Sequence, residues 1–182
     1  VLGFIKISRD LSFYFQHPEE MGKILALGRA VNSIFSILTL LFIFLIAKQV
    51  YSLRTAILSI LLFAICPAVI FQAHIMKPYT MATFFAMVCV YYSLMIVKFA
   101  PIRKNYVLCG IFAGLTAGTM PVYAIIIIAP LIAHFTASKP FNKKLFYFCL
   151  SAAAVFFITN PYWLVKFKDV YWEMKSSAGY YA

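Results

Sequence analysis

Five long stretches without a charged residue constrain this chain more than any other feature. They cover residues 30–47, 55–73, 78–97, 105–138 and 145–165. A hydrocarbon core about 30 Å thick needs roughly 20 apolar residues as a helix, so most of these stretches are long enough to cross a membrane. Because lipid offers the backbone no hydrogen-bond partner, helices are expected rather than isolated strands. The sequence therefore predicts an all-α, polytopic transmembrane helical bundle.

Composition supports the same class. The chain of 182 residues is 64% hydrophobic and only 12% charged, whereas a soluble domain is about half apolar and about a quarter charged. The net charge of +11 would indicate nucleic-acid binding in a soluble protein. In a membrane protein, basic residues in short loops set the orientation instead. We therefore expect contact with membrane lipid and none with nucleic acid.

The cysteines do not indicate a metal centre. All of them lie inside the apolar stretches, and none has the spacing of metal ligands. We expect them to be buried, small hydrophobic side chains rather than disulfides or ligands. They are Cys66, Cys89, Cys109 and Cys149.

The run 105–138 is too long for one ordinary crossing, since a single helix would rise about 50 Å. Pro121, in "GTMP", lacks the N–H that a continuous helix needs, so two helices are predicted. The predicted spans are then about 24–47, 55–73, 79–97, 106–118, 121–137 and 145–159. Residues 1–23 are expected to end an extracytoplasmic loop, and residues 160–182 to begin an extracytoplasmic segment.

Charge predicts the orientation of these spans. The loops 48–54, 98–104 and 139–144 carry basic residues and no acidic ones, while all five carboxylates fall on the opposite side. By the positive-inside rule, the basic loops are cytoplasmic. The unusual turns "HIMKPY", "GTMP" and "NPYW" then all face away from the cytoplasm.

A polar stripe marks the first span. Arg29, Asn32, Ser36 and Thr39 recur at helical spacing and share one face. Such stripes usually face the bundle interior or a wet cavity. Two interpretations of Arg29 stay open: its side chain extends to the lipid interface, or its guanidinium holds a phosphate through two hydrogen bonds.

The turn "HIMKPY" also has two interpretations. His74 and Lys77 can contact lipid headgroups, with Tyr79 as an interfacial aromatic residue. Alternatively they form an anion site, in which Lys77 supplies a charge for a phosphate and His74 donates a hydrogen bond or carries a proton.

Two further motifs are interpreted as structural features rather than as parts of a binding site. Gly110, Gly114 and Gly118 form GxxxGxxxG, which predicts close approach of another helix. In "NPYW", Pro161 is expected to end a helix, and Tyr162 suits a membrane interface.

These motifs, in this order, resemble one family of membrane enzymes. "LGRAVNSIFSILT" opens a span, "AHIMKPYTMATFF" forms the next outward turn, "GIFAGLTAGTMPVYAIIIIAPLI" resembles paired short helices, and "ITNPYW" closes a later span. Together they resemble the polyprenyl-phosphate-sugar-dependent glycosyltransferases of the GT-C fold, typified by protein O-mannosyltransferases and the lipid A aminoarabinose transferase. The likeness covers nearly the whole chain.

The resemblance implies part of a GT-C glycosyltransferase that acts outside the cytoplasm on a sugar carried by a polyprenyl phosphate. Arg29 matches the family's arginine at the start of that span. Many members have an aspartate near the turn where this chain has Lys77, which favours phosphate binding here. We expect Arg29, His74 and Lys77 to bind the lipid phosphate, and a cavity to be lined by Asn32, Tyr79 and Tyr162.

The catalytic residue stays unknown. In the family, an acidic residue in the first outward loop acts as base and contacts the metal or the acceptor, so a divalent metal is the one cofactor that the resemblance allows for. The helix before that loop would lie upstream of Val1, and the usual acid is expected there. Asp10 is the one local candidate.

Two other function classes stay open. A transporter or flippase segment would use the broken helix at 118–121 to line a substrate path. A non-catalytic scaffold would keep the fold without the acid. The sequence sets neither the sugar, nor the acceptor, nor the oligomeric state.

Overall fold

The computed structural model describes residues 11–99, 101–137 and 143–179. These residues are overwhelmingly helical, with no strand among them, which confirms the all-α membrane bundle. The helices are α1 (Leu11–Gln16), α2 (Pro18–Val50), α3 (Leu53–Ile65), α4 (Pro67–His74), α5 (Tyr79–Lys98), α6 (Arg103–Thr119), a 3₁₀ helix (Pro121–Ile127), α7 (Ile128–Ala137), α8 (Lys143–Thr159), α9 (Tyr162–Val165) and α10 (Phe167–Gly179).

The contacts divide the chain into two units, Val1–Phe84 and Phe85–Ala182. In the first unit α2 packs against α3 and α4. Pro18 lies in the first turn of α2, where its missing N–H costs nothing. At the far end of α2 the Nζ of Lys48 lies 6.0 Å from the centre of the Phe44 ring.

The predicted span 55–73 is not one straight helix. α3 and α4 meet at a 59° bend. Cys66, between them, has the extended backbone angles φ −62° and ψ 117°. Pro67 explains the break, because its ring disfavours a helical residue before it and it has no N–H to donate. The position of His74 is therefore set by a separate short helix.

In the second unit α6 packs along α8. Gly110 and Gly114 lie against the backbone of α8, where an added Cβ would come within 2.5 Å of the carbonyl oxygens of Phe148 and Ala152. This confirms the close helix approach predicted from GxxxGxxxG. Beyond Gly118, α6 ends at Thr119 and the 3₁₀ helix begins at Pro121, so the break lies where "GTMP" predicts it.

The core of the second unit is built around two aromatic side chains, Tyr106 and Phe148. The hydroxyl of Tyr106 is hydrogen bonded to Nδ1 of the buried His134 over 2.8 Å. Cys89 and Cys109 are buried in the same core, as expected.

The expectation of burial is wrong for one cysteine and only partly right for another. Cys149 is exposed and Cys66 is half-buried. Cys149 of α8 lines an apolar cavity of about 410 Å³, which a small hydrophobic side chain suits as well as it suits a core.

Two described helices, α2 and α5, are long and apolar enough to cross a membrane, and the bent pair α3–α4 makes a third if it counts as one crossing. The chain is therefore an integral membrane protein. α6 and α8 have 17 residues each and rise about 25 Å, so their role as crossings stays a prediction. α9 and α10 occupy the segment predicted to be extracytoplasmic.

Many hydroxyl side chains are satisfied within their own helix. Each donates to the carbonyl oxygen of the residue four positions earlier, at 2.7–2.9 Å. In lipid this removes the cost of an unpaired hydroxyl. The residues include Ser33, Thr39, Thr83, Ser93, Thr116, Thr119 and Ser151.

Candidate functional site

The turn between α4 and α5 carries Lys77. α4 ends at His74. Pro78 favours this end, because it has no N–H to donate to the carbonyl of His74 and because it disfavours the helical conformation at Lys77. Within the turn the N–H of Lys77 donates to the carbonyl of Ile75 at 2.8 Å. The carbonyl of Pro78 then accepts from Ala82 at 2.9 Å, which starts α5. The carbonyl of Lys77 has no such backbone donor among the described residues, so it needs another partner.

Asn32 of α2 supplies that partner. Its side chain is buried, with 7% of its surface exposed. The Nδ2 group donates to the carbonyl of Ile75 and, at 3.0 Å, to the carbonyl of Lys77. Both hydrogens of one amide are therefore used on the turn between α4 and α5.

Gly28 forms a second contact with the turn, one helical turn before Asn32. A Cβ added at Gly28 would lie 2.6 Å from Cγ and 2.7 Å from Sδ of Met76. The side chain of Met76 thus occupies the space that any other residue at position 28 would fill. We call Gly28 and Asn32 the α2 clamp.

Lys77 itself is exposed. Its Nζ lies 5.6 Å from the centre of the Tyr79 ring, within cation–π range. Lys77 and Tyr79 both line a small cavity of about 90 Å³ that also includes Gln72. Thr80 closes the other side of the turn, donating from Oγ1 to the carbonyl of Gln72 at 3.3 Å.

Arg29 is exposed on α2, directly after Gly28. Its backbone therefore belongs to the helical turn on which segment 75–77 is docked. Within the described residues its guanidinium has no hydrogen-bond or ion-pair partner. The structure thus brings two predicted phosphate ligands, Arg29 and Lys77, to the same part of the first unit.

His74 lines a different cavity. That cavity has a volume of about 210 Å³, and its polar wall consists of Ser33, Ser36 and His74. Nδ1 of His74 is 2.7 Å from the carbonyl oxygen of Ile70. A carbonyl oxygen can only accept a hydrogen bond, so Nδ1 carries the proton. In the neutral ring Nε2 is therefore an acceptor, and it donates only when the ring is protonated. Hydrogen-bond donation to a phosphate by His74, as the sequence suggested, thus requires the charged form.

The other predicted residues are placed as follows. Asn32 and Tyr79 lie at the turn, but the amide hydrogens of Asn32 are committed to the backbone. Tyr162 is exposed at the start of α9, in the second unit, and its lining role stays a prediction. Asp10 lies outside the described residues. Among the residues that the structure describes, no group of three or more His, Cys, Asp or Glu side chains could hold a metal ion.

Sequence reasoning missed the α2 clamp. It placed Asn32 on a polar stripe but had no partner for it, because Ile75 and Lys77 follow more than 40 residues later. Gly28 was not singled out at all. The available signal was a residue without a side chain four positions before a buried asparagine, which places both on one helix face.

One comparison with known proteins gives a match. The family model described as dolichyl-phosphate-mannose-protein mannosyltransferase matches residues 22–163, which is most of the chain. The matched region contains the α2 clamp, the turn between α4 and α5, and the paired helices α6 and α8. No curated protein and no solved structure matches the chain.

Proposed function

The chain belongs to the dolichyl-phosphate-mannose-protein mannosyltransferase family, and on that basis we propose that it is part of an integral membrane glycosyltransferase. In this proposal a sugar is moved from a polyprenyl-phosphate-linked sugar donor to an acceptor on the extracytoplasmic side of the membrane. Lys77 and Arg29 bind the phosphate of the sugar donor. His74, the third predicted ligand, lines a separate cavity with Ser33 and Ser36.

The observation that carries the proposal is an exposed lysine on a docked turn. Transfer of the sugar leaves a phosphate as the departing group, so fixed positive charge beside it stabilises the transition state. Lys77 supplies a compact charge on a segment whose backbone is held by Asn32. Arg29 adds a planar guanidinium that suits two phosphate oxygens at once.

The proposed side of the membrane rests on charge. The charged residues of loops 48–54, 98–104 and 139–144 are all basic, which favours the cytoplasmic side for these loops. The turn with Lys77 begins the span that follows loop 48–54 and the bent pair α3–α4. It is therefore proposed to face the extracytoplasmic side, where the acceptor would be met.

The test uses the protein expressed in full from its native coding frame, in membrane vesicles supplied with a radiolabelled mannosyl polyprenyl phosphate. Lys77→Met should lower sugar transfer at low donor concentration about 10-fold or more, since a hydrogen bond to a charged group contributes about 1.5–3 kcal/mol. Arg29→Gln should act in the same direction.

Lys48→Met is the matched control. Lys48 is also an exposed lysine near a helix end, and its ammonium also lies about as far from an aromatic ring, 6.0 Å from Phe44. Equal effects of Lys77→Met and Lys48→Met on sugar transfer would contradict the proposal that Lys77 binds the phosphate. Movement of the labelled lipid across the vesicle without any sugar transfer would favour the transporter alternative instead.

A further inference from the structure

We propose that Asn32, with Gly28, is a positioning residue for the proposed phosphate site, because it fixes the backbone from which Lys77 extends. The assignment rests on the proposed function, in which Lys77 contacts the phosphate of the sugar donor. Neither Asn32 nor Gly28 touches the sugar donor in this scheme. They act on it through the turn.

The turn needs an external partner. Ile75 and Lys77 lie outside both α4 and α5, and Pro78 has no N–H to offer. A carbonyl without a protein donor is stable only if it can reach water or a headgroup. The carbonyl of Ile75 keeps the N–H of Lys77 as a donor, but without Asn32 the carbonyl of Lys77 would turn towards water or headgroups, and the Lys77 backbone would move with it.

An amide that donates to two carbonyls restrains the backbone more than an amide that donates to a single carbonyl. The two acceptors, Ile75 and Lys77, lie two residues apart, so the turn can neither slide along α2 nor rotate about one bond. The Met76 side chain fills the space beside Gly28, one helical turn away, and adds a second point of contact. A lysine side chain is long and flexible, so a fixed Cα is the part of its geometry that the protein controls.

A buried polar residue on this face of α2 does not need to reach across to another segment. Thr39 lies two helical turns after Asn32, is 2% exposed, and donates to the carbonyl of Phe35 within α2 at 2.8 Å. Asn32 instead uses both donors on the segment that carries the exposed cation. This contrast separates positioning of Lys77 from simple satisfaction of a buried group.

The experiment uses the protein expressed from its full coding frame, in lipid nanodiscs, with a polyprenyl monophosphate that lacks a sugar as the probe. Asn32→Leu removes both donors at similar volume, and Thr39→Val removes one buried hydroxyl from the same face as the matched control. Deuterium uptake of peptides from residues 71–82 reports the turn itself. Probe binding is then measured with and without Lys77→Met.

Asn32→Leu should speed exchange of the amides of residues 75–77 about 10-fold or more and weaken probe binding about 10-fold, while Thr39→Val changes neither. In the Lys77→Met background, Asn32→Leu should weaken binding less than about 2-fold, since a positioning residue has nothing left to position. An equal loss in both backgrounds would overturn the proposal and leave Asn32 a stabilising residue. Unchanged exchange would overturn it as well.

A second pair of variants covers the case in which Asn32→Leu does not fold. Gly28→Ala should weaken probe binding by displacing Met76, whereas Gly22→Ala on the same helix, where nothing lies within 4 Å of the added Cβ, should leave binding unchanged. Equal probe binding by the two variants would contradict the role of Gly28. If Lys77→Met alone leaves binding unchanged, the proposed phosphate site falls, and the exchange data alone decide whether the clamp holds the turn.

Discussion

The two units of the chain close a helix break in the same way and put it to different uses. In the first unit, the amide of Asn32 donates to carbonyls of the turn that precedes Pro78. In the second, the amide of Asn160 donates at 3.0 Å to the carbonyl of Gly118, just before the break at Pro121. Each asparagine donates to backbone carbonyls beside a helix break that contains a proline.

The surroundings of these two amides differ. Asn160 sits at the end of a helix pair that glycines already hold at close range, so its bond is one contact among many. Asn32 holds a turn that also contacts α2 through Met76 beside Gly28, and that turn carries the exposed Lys77. An asparagine that donates to backbone carbonyls can therefore support helix packing in one place and the position of a charged residue in another.

The largest expected effect lies in the helix pair. Gly114→Ala should lower the free energy of unfolding by about 1–3 kcal/mol, because the new methyl group meets the backbone carbonyl of Ala152, which cannot move aside. Gly22→Ala in α2 is the matched control, since nothing lies within 4 Å of its Cβ position and alanine favours the helix by about 1 kcal/mol. Denaturant titration in detergent measures both. Equal stability of the two variants would contradict the close packing of α6 and α8.

A smaller effect is expected at the amide of the second unit. Asn160→Leu should lower the free energy of unfolding by about 1 kcal/mol, in line with hydrogen bonds between membrane helices, and should leave binding of polyprenyl monophosphate unchanged. Asn32→Leu is expected to do the reverse, with binding lost more than stability. Thermal unfolding and probe binding on the same preparations test the contrast. An equal loss of probe binding in both variants would contradict the proposed difference between Asn32 and Asn160.

The smallest effect concerns the ring beneath Lys77. Tyr79→Leu should weaken probe binding about 2-fold, because an exposed cation–π contact contributes about 0.5–1 kcal/mol to holding the ammonium in place. Tyr79→Phe keeps the ring face and should bind like the parent. If Phe is as weak as Leu at this position, the hydroxyl rather than the ring is what matters.

Much of the fold could be predicted because lipid leaves few options. Long uncharged runs predict helices, and a proline inside an overlong run, such as Pro121, predicts where one of them ends. Pro67 shows the limit of that reasoning. It lies in a run of ordinary length, where proline can be tolerated as a kink or can break the helix, and the length of the run does not decide between them.

The candidate site was only half predictable. The residue types of Arg29, His74 and Lys77 pointed to anion binding, and the repeat of Arg29 and Asn32 placed both on one face. Which groups the amide of Asn32 would meet depends on packing between α2 and a turn more than 40 residues away. The hydrogen bond that sets the tautomer of His74 likewise depends on the end of a helix that the sequence did not reveal as separate.

The way these polar groups are satisfied also bears on how the protein is made. A serine or threonine that donates within its own helix enters the membrane already satisfied, whatever has been synthesised after it. Asn32 cannot do so, because its acceptors leave the ribosome 43 to 45 residues later. Until then the amide of Asn32 cannot make the bonds that it makes in the finished protein, and the arrival of the turn with Lys77 completes them. The order of synthesis and the final position of the cation are thereby linked through one side chain.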